Sequence, residues 1–105
     1  MSIVEDVDVA AAPTFEEISV SSHCRERWAE RSDRPNLNPR VAWLEAVPVD
    51  YPSARPPARH ARFHEVTELI LLASDDGLLR TCIPLSNRPR DERRYIRDQL
   101  EVSDR

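Results

Sequence analysis

Apolar positions along the chain fall into helical and strand-like stretches separated by proline-rich or polar breaks. Val20, Cys24 and Trp28 recur at i, i+4 and i+8 and predict an apolar stripe on a helix from about Ser22 to Ser32. Ser21 or Ser22 supplies its cap, and Asp33, Arg34 and Pro35 end it. A second helix is signalled by Asn38 as cap and Pro39 at the first helical position, with Val41, Leu44 and Val47 as apolar spacing and Pro48 as its stop. Pro48, Pro52, Pro56 and Pro57 then predict a polyproline-like connection over residues 48–58, without regular structure.

Strand signals follow. Arg59 to Glu65 alternates, with Ala61 and Phe63 on one face and His60, Arg62 and His64 on the other, and Thr67 to Ala73 is a continuous apolar run suited to a central strand. Leu78 to Leu85 is the third strand, joined to the second through Asp76-Gly77, a hairpin signal because glycine accepts positive φ at little cost. Pro84 limits how far that strand pairs. From Arg90 a last helix is anchored by the spacing of Glu92, Ile96 and Leu100. The expected fold is α+β, with N-terminal helices packed on a small antiparallel sheet of about three to four strands and a C-terminal helix. The expected organisation is an acidic, disordered tail over residues 1–18, a single domain over residues 19–100 and a short tail over residues 101–105.

Composition narrows the function classes. With 105 residues there is material for one core, and no apolar run approaches the ~20 residues of a bilayer span. The opening Met1-Ser2-Ile3-Val4-Glu5-Asp6 lacks the basic start and apolar centre of a secretory signal, so the cytoplasm is the expected compartment. Two cysteines, Cys24 and Cys82, are too few for a disulfide framework and are expected to be buried thiols. The formal net charge of -4 is unevenly spread: residues 1–18 hold five acids and no arginine, whereas residues 19–97 hold fourteen arginines against eleven acids. The central segment is therefore cationic and suited to a polyanion, and the acidic N-terminal stretch is expected to compete with that polyanion for it. Gly77 is the only glycine, which excludes the glycine-rich loops of nucleotide-binding folds.

Three constellations carry candidate chemistry. His23, Arg27 and Arg31 are spaced by four along one side of the first helix, a set able to move protons and grip phosphate oxygens; the alternative is a solvated face paired with Glu26 and Glu30. His60, Arg62 and His64 share the polar face of the first long strand, where the alternative is a charged sheet face that discourages edge pairing. A zinc site on His60 and His64 is disfavoured, because four strand residues span ~13 Å and tetrahedral ligands sit much closer together. Arg80 and Thr81 lie on the last strand, where alternation puts Arg80 with Cys82 on one side and Thr81 with Ile83 on the other. Arg88, Arg90, Arg93, Arg94 and Arg97 could grip phosphates along one helix, but Asp91, Glu92 and Asp98 partly neutralise them, and a solvated charged helix is the preferred reading.

Taken in order, His23-Cys24-x-x-Arg27-Trp28-x-x-Arg31, the short helix at Asn38, Arg62-Phe63-His64 and Leu79-Arg80-Thr81-Cys82-Ile83 resemble a family of small bacterial and archaeal proteins. Those proteins open with His-Ala-x-x-Arg-Met-x-x-Arg. Their family looks like a branch of the superfamily of RelE-type toxins, colicin-type transfer-RNA nucleases and barnase-like ribonucleases. The similarity covers about residues 20–85 and implies a metal-independent endoribonuclease of toxin type, without cofactor, held inactive by an antitoxin or inhibitor protein. RNA would be cleaved by attack of its own 2′-OH. Together with the chemistry above, this gives His23, Arg27, His64 and Thr81 as catalytic candidates and Arg31, Arg62, Arg80 and His60 as substrate-binding candidates, with no metal ligands. Cys24 stands in place of the family's alanine, Trp28 in place of its methionine, and residues 48–58 lengthen a connection that bears on the substrate channel. The other class of function is a non-catalytic nucleic-acid-binding or protein-interaction module of the same fold.

Overall fold

The computed structural model describes residues 12–103. A short strand β1 (Ser19–Val20) leads into α1 (Ser22–Arg31), α2 (Pro39–Glu45) and a second short strand β2 (Val47–Val49). After the proline-rich loop come β3 (Ala58–His64), β4 (Leu69–Ser74) and β5 (Leu78–Pro84), then a 3-10 turn (Leu85–Asn87) and α3 (Arg90–Ser103). Ser21 caps α1 by accepting a hydrogen bond from the Cys24 N–H at 3.0 Å, and Asn38 caps α2 by accepting from the Arg40 N–H at 2.9 Å. Each cap satisfies a backbone donor that the helix leaves without an internal partner.

The fold is α+β as expected, but the sheet has five strands rather than three to four, in the order β1-β5-β4-β3-β2. The two extra strands have two and three residues, too few to display an alternation in sequence. β1 runs parallel to β5, while the other pairings are antiparallel. Pro48, read as a helix stop within an irregular connection, instead sits in β2 opposite Arg62. An outer strand tolerates proline because one side of its backbone needs no ladder donor. Thr67 and Glu68 belong to the turn before β4, with Glu68 at φ 58, so the strand begins at Leu69.

Every residue of β4 is buried, because both faces of the sheet are covered there. On one face α1 and α2 press Cys24, Trp28, Ala42 and Trp43 onto Leu69, Leu71, Leu79 and Cys82. On the other, Ile96 of α3 and Tyr51 of the proline-rich loop pack with Phe63, Ile70, Leu72 and Leu85. α3 runs to Ser103, past the expected domain end at residue 100.

The N-terminal boundary also differs from the expectation. Pro13 and Ile18 are buried, the Trp43 indole N–H donates to the Pro13 carbonyl at 2.6 Å, and the Arg40 guanidinium lies 4.4 Å from the centre of the Phe15 ring. Packing against α2 thus incorporates residues 13–18 into the domain, although no helical or strand periodicity marks them in the sequence. Residues 1–11 of the expected tail lie outside the described residues.

Candidate functional site

α3 covers only part of its face of the sheet. Where it does not reach, a cleft of about 840 Å³ opens between the start of α1, the middle of β5, the loop from Tyr51 to Ala58 and the start of α3. This volume falls in the ordinary range of small-molecule sites. Leu72, Ala58 and Ile83 line it from the sheet, Ser21 and His23 from α1, and Arg80 and Thr81 from β5. Tyr51, Ser53, Ala54, Arg55 and Pro57 of the loop, Arg88 just before α3 and Glu92 in its first turn complete the wall.

A β-bulge delivers Arg80 to this cleft. Leu72 pairs with Thr81 but Ala73 pairs with Leu79, so Arg80 is the extra residue on β5. Such a bulge re-aims side chains. The Arg80 Nε–H donates at 3.0 Å to the hydroxyl of Ser74, which follows Leu72 by two residues and shares its face. The expected opposition of Arg80 and Thr81 therefore breaks down, and both line one cavity. The α1 end is fixed to the same strand: the Ser21 N–H donates to Leu79 O at 3.1 Å, and the Ser21 hydroxyl donates to Arg80 O at 3.2 Å. His23 is exposed in the first turn of α1.

The α3 wall is a preset charge network. Arg88 donates from Nε and Nη2 to the two carboxylate oxygens of Glu92 at 2.8 and 3.3 Å, and the Ser53 hydroxyl donates to the same carboxylate at 2.8 Å. The Arg88 guanidinium, and then the Ser53 hydroxyl, hold the Glu92 carboxyl below the usual carboxylate range. The bond to Glu92 in turn raises the pKa of Arg88. Burial is the main reason that the Tyr51 phenol is pushed up and stays neutral at physiological pH. Arg55, Arg80 and Arg88 line the cleft with Glu92; Arg88 is paired with Glu92 and the Arg80 Nη2 lies 3.9 Å from an Asp76 carboxylate oxygen, so three guanidiniums face two carboxylates, a balance that still favours an anion.

Of the eight residues expected at the site, His23, Arg80 and Thr81 come together here, while the other five have partners elsewhere. Arg27 pairs with Glu30 at 2.7 Å. The Arg31 Nη1–H donates to Cys82 O at 2.7 Å along the outer edge of β5. Arg62 lies 4.4 Å from the Trp43 ring centre and donates to Trp43 O at 2.8 Å, beneath α2 rather than in solvent. His64 is buried between the Thr67 hydroxyl at 2.8 Å and the Glu45 carboxylate at 2.9 Å. His60 meets Asp75 at 2.7 Å beside the β4–β5 turn. The alternation on β3 holds, but its polar face is the one that α2 covers, since Arg62 and His64 pair with Leu71 and Leu69 of the α-side core.

Sequence reasoning passed over Tyr51, Arg55 and Glu92. The only signal for the last was its i, i+4 spacing from Arg88, which any solvated helix also shows. Among the described residues, no three His, Cys, Asp or Glu side chains are grouped to hold a metal ion, and no helix is long and apolar enough to cross a membrane.

Comparison with protein families matches residues 20–86, more than half of the chain, to the family described as "Putative RelE superfamily toxin domain". No curated protein and no solved structure matched the chain.

Proposed function

Because the chain belongs to this RelE superfamily toxin-domain family, we propose that it is a metal-independent endoribonuclease of toxin type that works in the cleft between α1, β5 and α3. The observation that carries this reading is the convergence of His23, Arg80 and Thr81, from two separate elements, on one cavity with Arg55 and Arg88. In the proposed reaction the imidazole of His23 takes the proton of a ribose 2′-OH as that oxygen attacks the adjacent phosphorus. The bond from phosphorus to the 5′-oxygen breaks, and the imidazolium returns its proton to that oxygen. The products are a 2′,3′-cyclic phosphate and a free 5′-OH. Arg80 and Arg88 stabilise charge on the non-bridging oxygens, and the Thr81 hydroxyl donates a further hydrogen bond. Arg31, Arg62, His60 and His64 act in this scheme by holding the fold, and Arg27, in a surface pair with Glu30, takes no part in the chemistry. A protein antitoxin in the same cytoplasmic compartment, covering the cleft, is the partner that a toxin domain of this kind calls for.

Incubating the protein with total RNA and a chelator, alongside His23→Ala, tests the proposal. Cleavage by the parent and a loss of at least about a hundredfold in the variant are expected; equal cleavage by both would overturn the role of His23. The second reading, a binding module without catalysis, is favoured by one feature: among the described residues His23 has no hydrogen-bond partner to orient its ring. A catalytic base is usually oriented by a third group. On that reading His23→Ala leaves RNA affinity unchanged, arginine substitutions dominate and no cleavage is seen.

A further inference from the structure

Arg80 owes its place in the cleft to the bulge in β5, but a bulge fixes only the backbone, and an arginine side chain has much rotamer freedom of its own. The β4–β5 hairpin removes that freedom at one nitrogen. Ser74, the last residue of β4 and 3% exposed, accepts from the Arg80 Nε–H at 3.0 Å. Its own hydroxyl proton is directed the other way. Two acceptors compete for it, a carboxylate oxygen of Asp76 and the Leu78 carbonyl at 3.3 Å, and the charged one is the stronger. Asp76 is itself fixed, since the Leu78 N–H donates to the same oxygen at 3.3 Å and the Gly77 N–H closes the turn on Ser74 O at 3.0 Å. The Asp76 carboxyl is accordingly held below the usual aspartate range, chiefly by the Ser74 hydroxyl. With its proton committed to Asp76, that hydroxyl can only accept from Arg80.

Resting on the ribonuclease reading, we infer that Ser74 is a positioning residue, which acts through Arg80 by aiming its guanidinium fork at the phosphate in the cleft. Tying down Nε leaves the two Nη nitrogens as the pair open to an anion. The neighbouring carboxylate does not consume them: Asp76 Oδ2 stands 3.9 Å from Nη2, outside hydrogen-bond range, and the Arg80 side chain is 37% exposed. A guanidinium oriented before the anion arrives loses less entropy on binding, and it meets the charge of the transition state without rearranging. Ser74 is not among the residues that line the cleft, so its effect on the reaction passes through Arg80.

Two measurements on the full chain test this. The first is hydrogen exchange at arginine Nε–H by proton–nitrogen correlation NMR, with the Arg80 signal assigned by its loss in Arg80→Gln. In the parent that signal should exchange about tenfold more slowly than that of exposed Arg94, and Ser74→Ala should abolish the difference. The second is RNA cleavage. Ser74→Ala should lower kcat about tenfold or more with little change in KM, since a misaimed fork costs transition-state stabilisation rather than overall RNA binding. In the Arg80→Gln background the same substitution should have no further effect. An unchanged kcat, a loss that persists in that background, or a parent Arg80 signal that exchanges as fast as Arg94 overturns the positioning role and leaves the ribonuclease reading intact. The parent signal needs no variant of Ser74, so it decides the contact even if Ser74→Ala fails to fold. A parent that cleaves no RNA sinks the ribonuclease reading, and the catalytic use of Ser74 with it, whatever the Nε–H signal shows.

Discussion

His64 and Arg62 illustrate how residue type alone misleads about role. An imidazole and a guanidinium on one strand face are the groups that phosphodiester chemistry uses, yet here each is engaged in the packing between α2 and β3. His64 is 1% exposed, and its two ring nitrogens meet Thr67 and Glu45. Removing it leaves a buried hydroxyl without its partner, which costs about 1–3 kcal/mol. We expect His64→Ala to lower unfolding free energy by at least that much in urea titration, with RNA affinity unchanged under conditions where the variant is folded. A loss of affinity in a fully folded variant would return His64 to the site. Gly77 is a second case. Its φ is +83, and a Cβ there would collide with the backbone carbonyl oxygen of Glu17. Gly77→Ala should therefore destabilise by more than about 1 kcal/mol, since both the left-handed backbone and the close approach of residues 13–18 are affected. An unchanged urea midpoint would contradict this account of the contact.

The β4–β5 hairpin, the edge of β5 and the first turn of α1 act as one supporting unit for the cleft. Arg31 and Ser21 occupy carbonyls on the outer edge of β5, which β1 covers only at Leu78 and Leu79, so α1 both blunts that edge and fixes His23 beside it. The hairpin turn carries two carboxyls held below the usual aspartate range. Asp75 is lowered chiefly by its hydrogen bond with His60, and Asp76 chiefly by Ser74. A depressed carboxyl contributes stability that is present above its unfolded-state pKa and lost as pH falls through the folded value. Stability should accordingly decline below about pH 4. The double variant Asp75→Asn and Asp76→Asn should be less stable at neutral pH and show a shallower decline in acid. Parallel parent and variant curves through that range would rule out the linkage.

For the molecule as a whole, the packed N-terminal segment changes how the acidic end is to be probed. Deleting residues 1–18 removes Ile18, which is 2% exposed, and the Pro13 acceptor of the Trp43 indole, and should cost at least about 3 kcal/mol. A deletion meant to test competition between acidic residues and RNA must stop at residue 11, which still removes Glu5, Asp6 and Asp8. Raised affinity at low salt is the expected result; an affinity equal to that of the full chain would end the idea. The sequence by itself determined the elements with strong local signals: the capped helices at Ser21 and Asn38, the alternation of β3, the apolar run of β4 and the turn at Gly77. These features depend on spacing and backbone preference within a few residues, which the order of amino acids records directly. Tertiary structure alone decided which side of β3 met α2, where Arg80 bulged out of register and which arginines stayed available to an anion. Those outcomes depend on contacts between residues far apart in the chain, and a polar side chain carries no local mark of whether a helix will cover it.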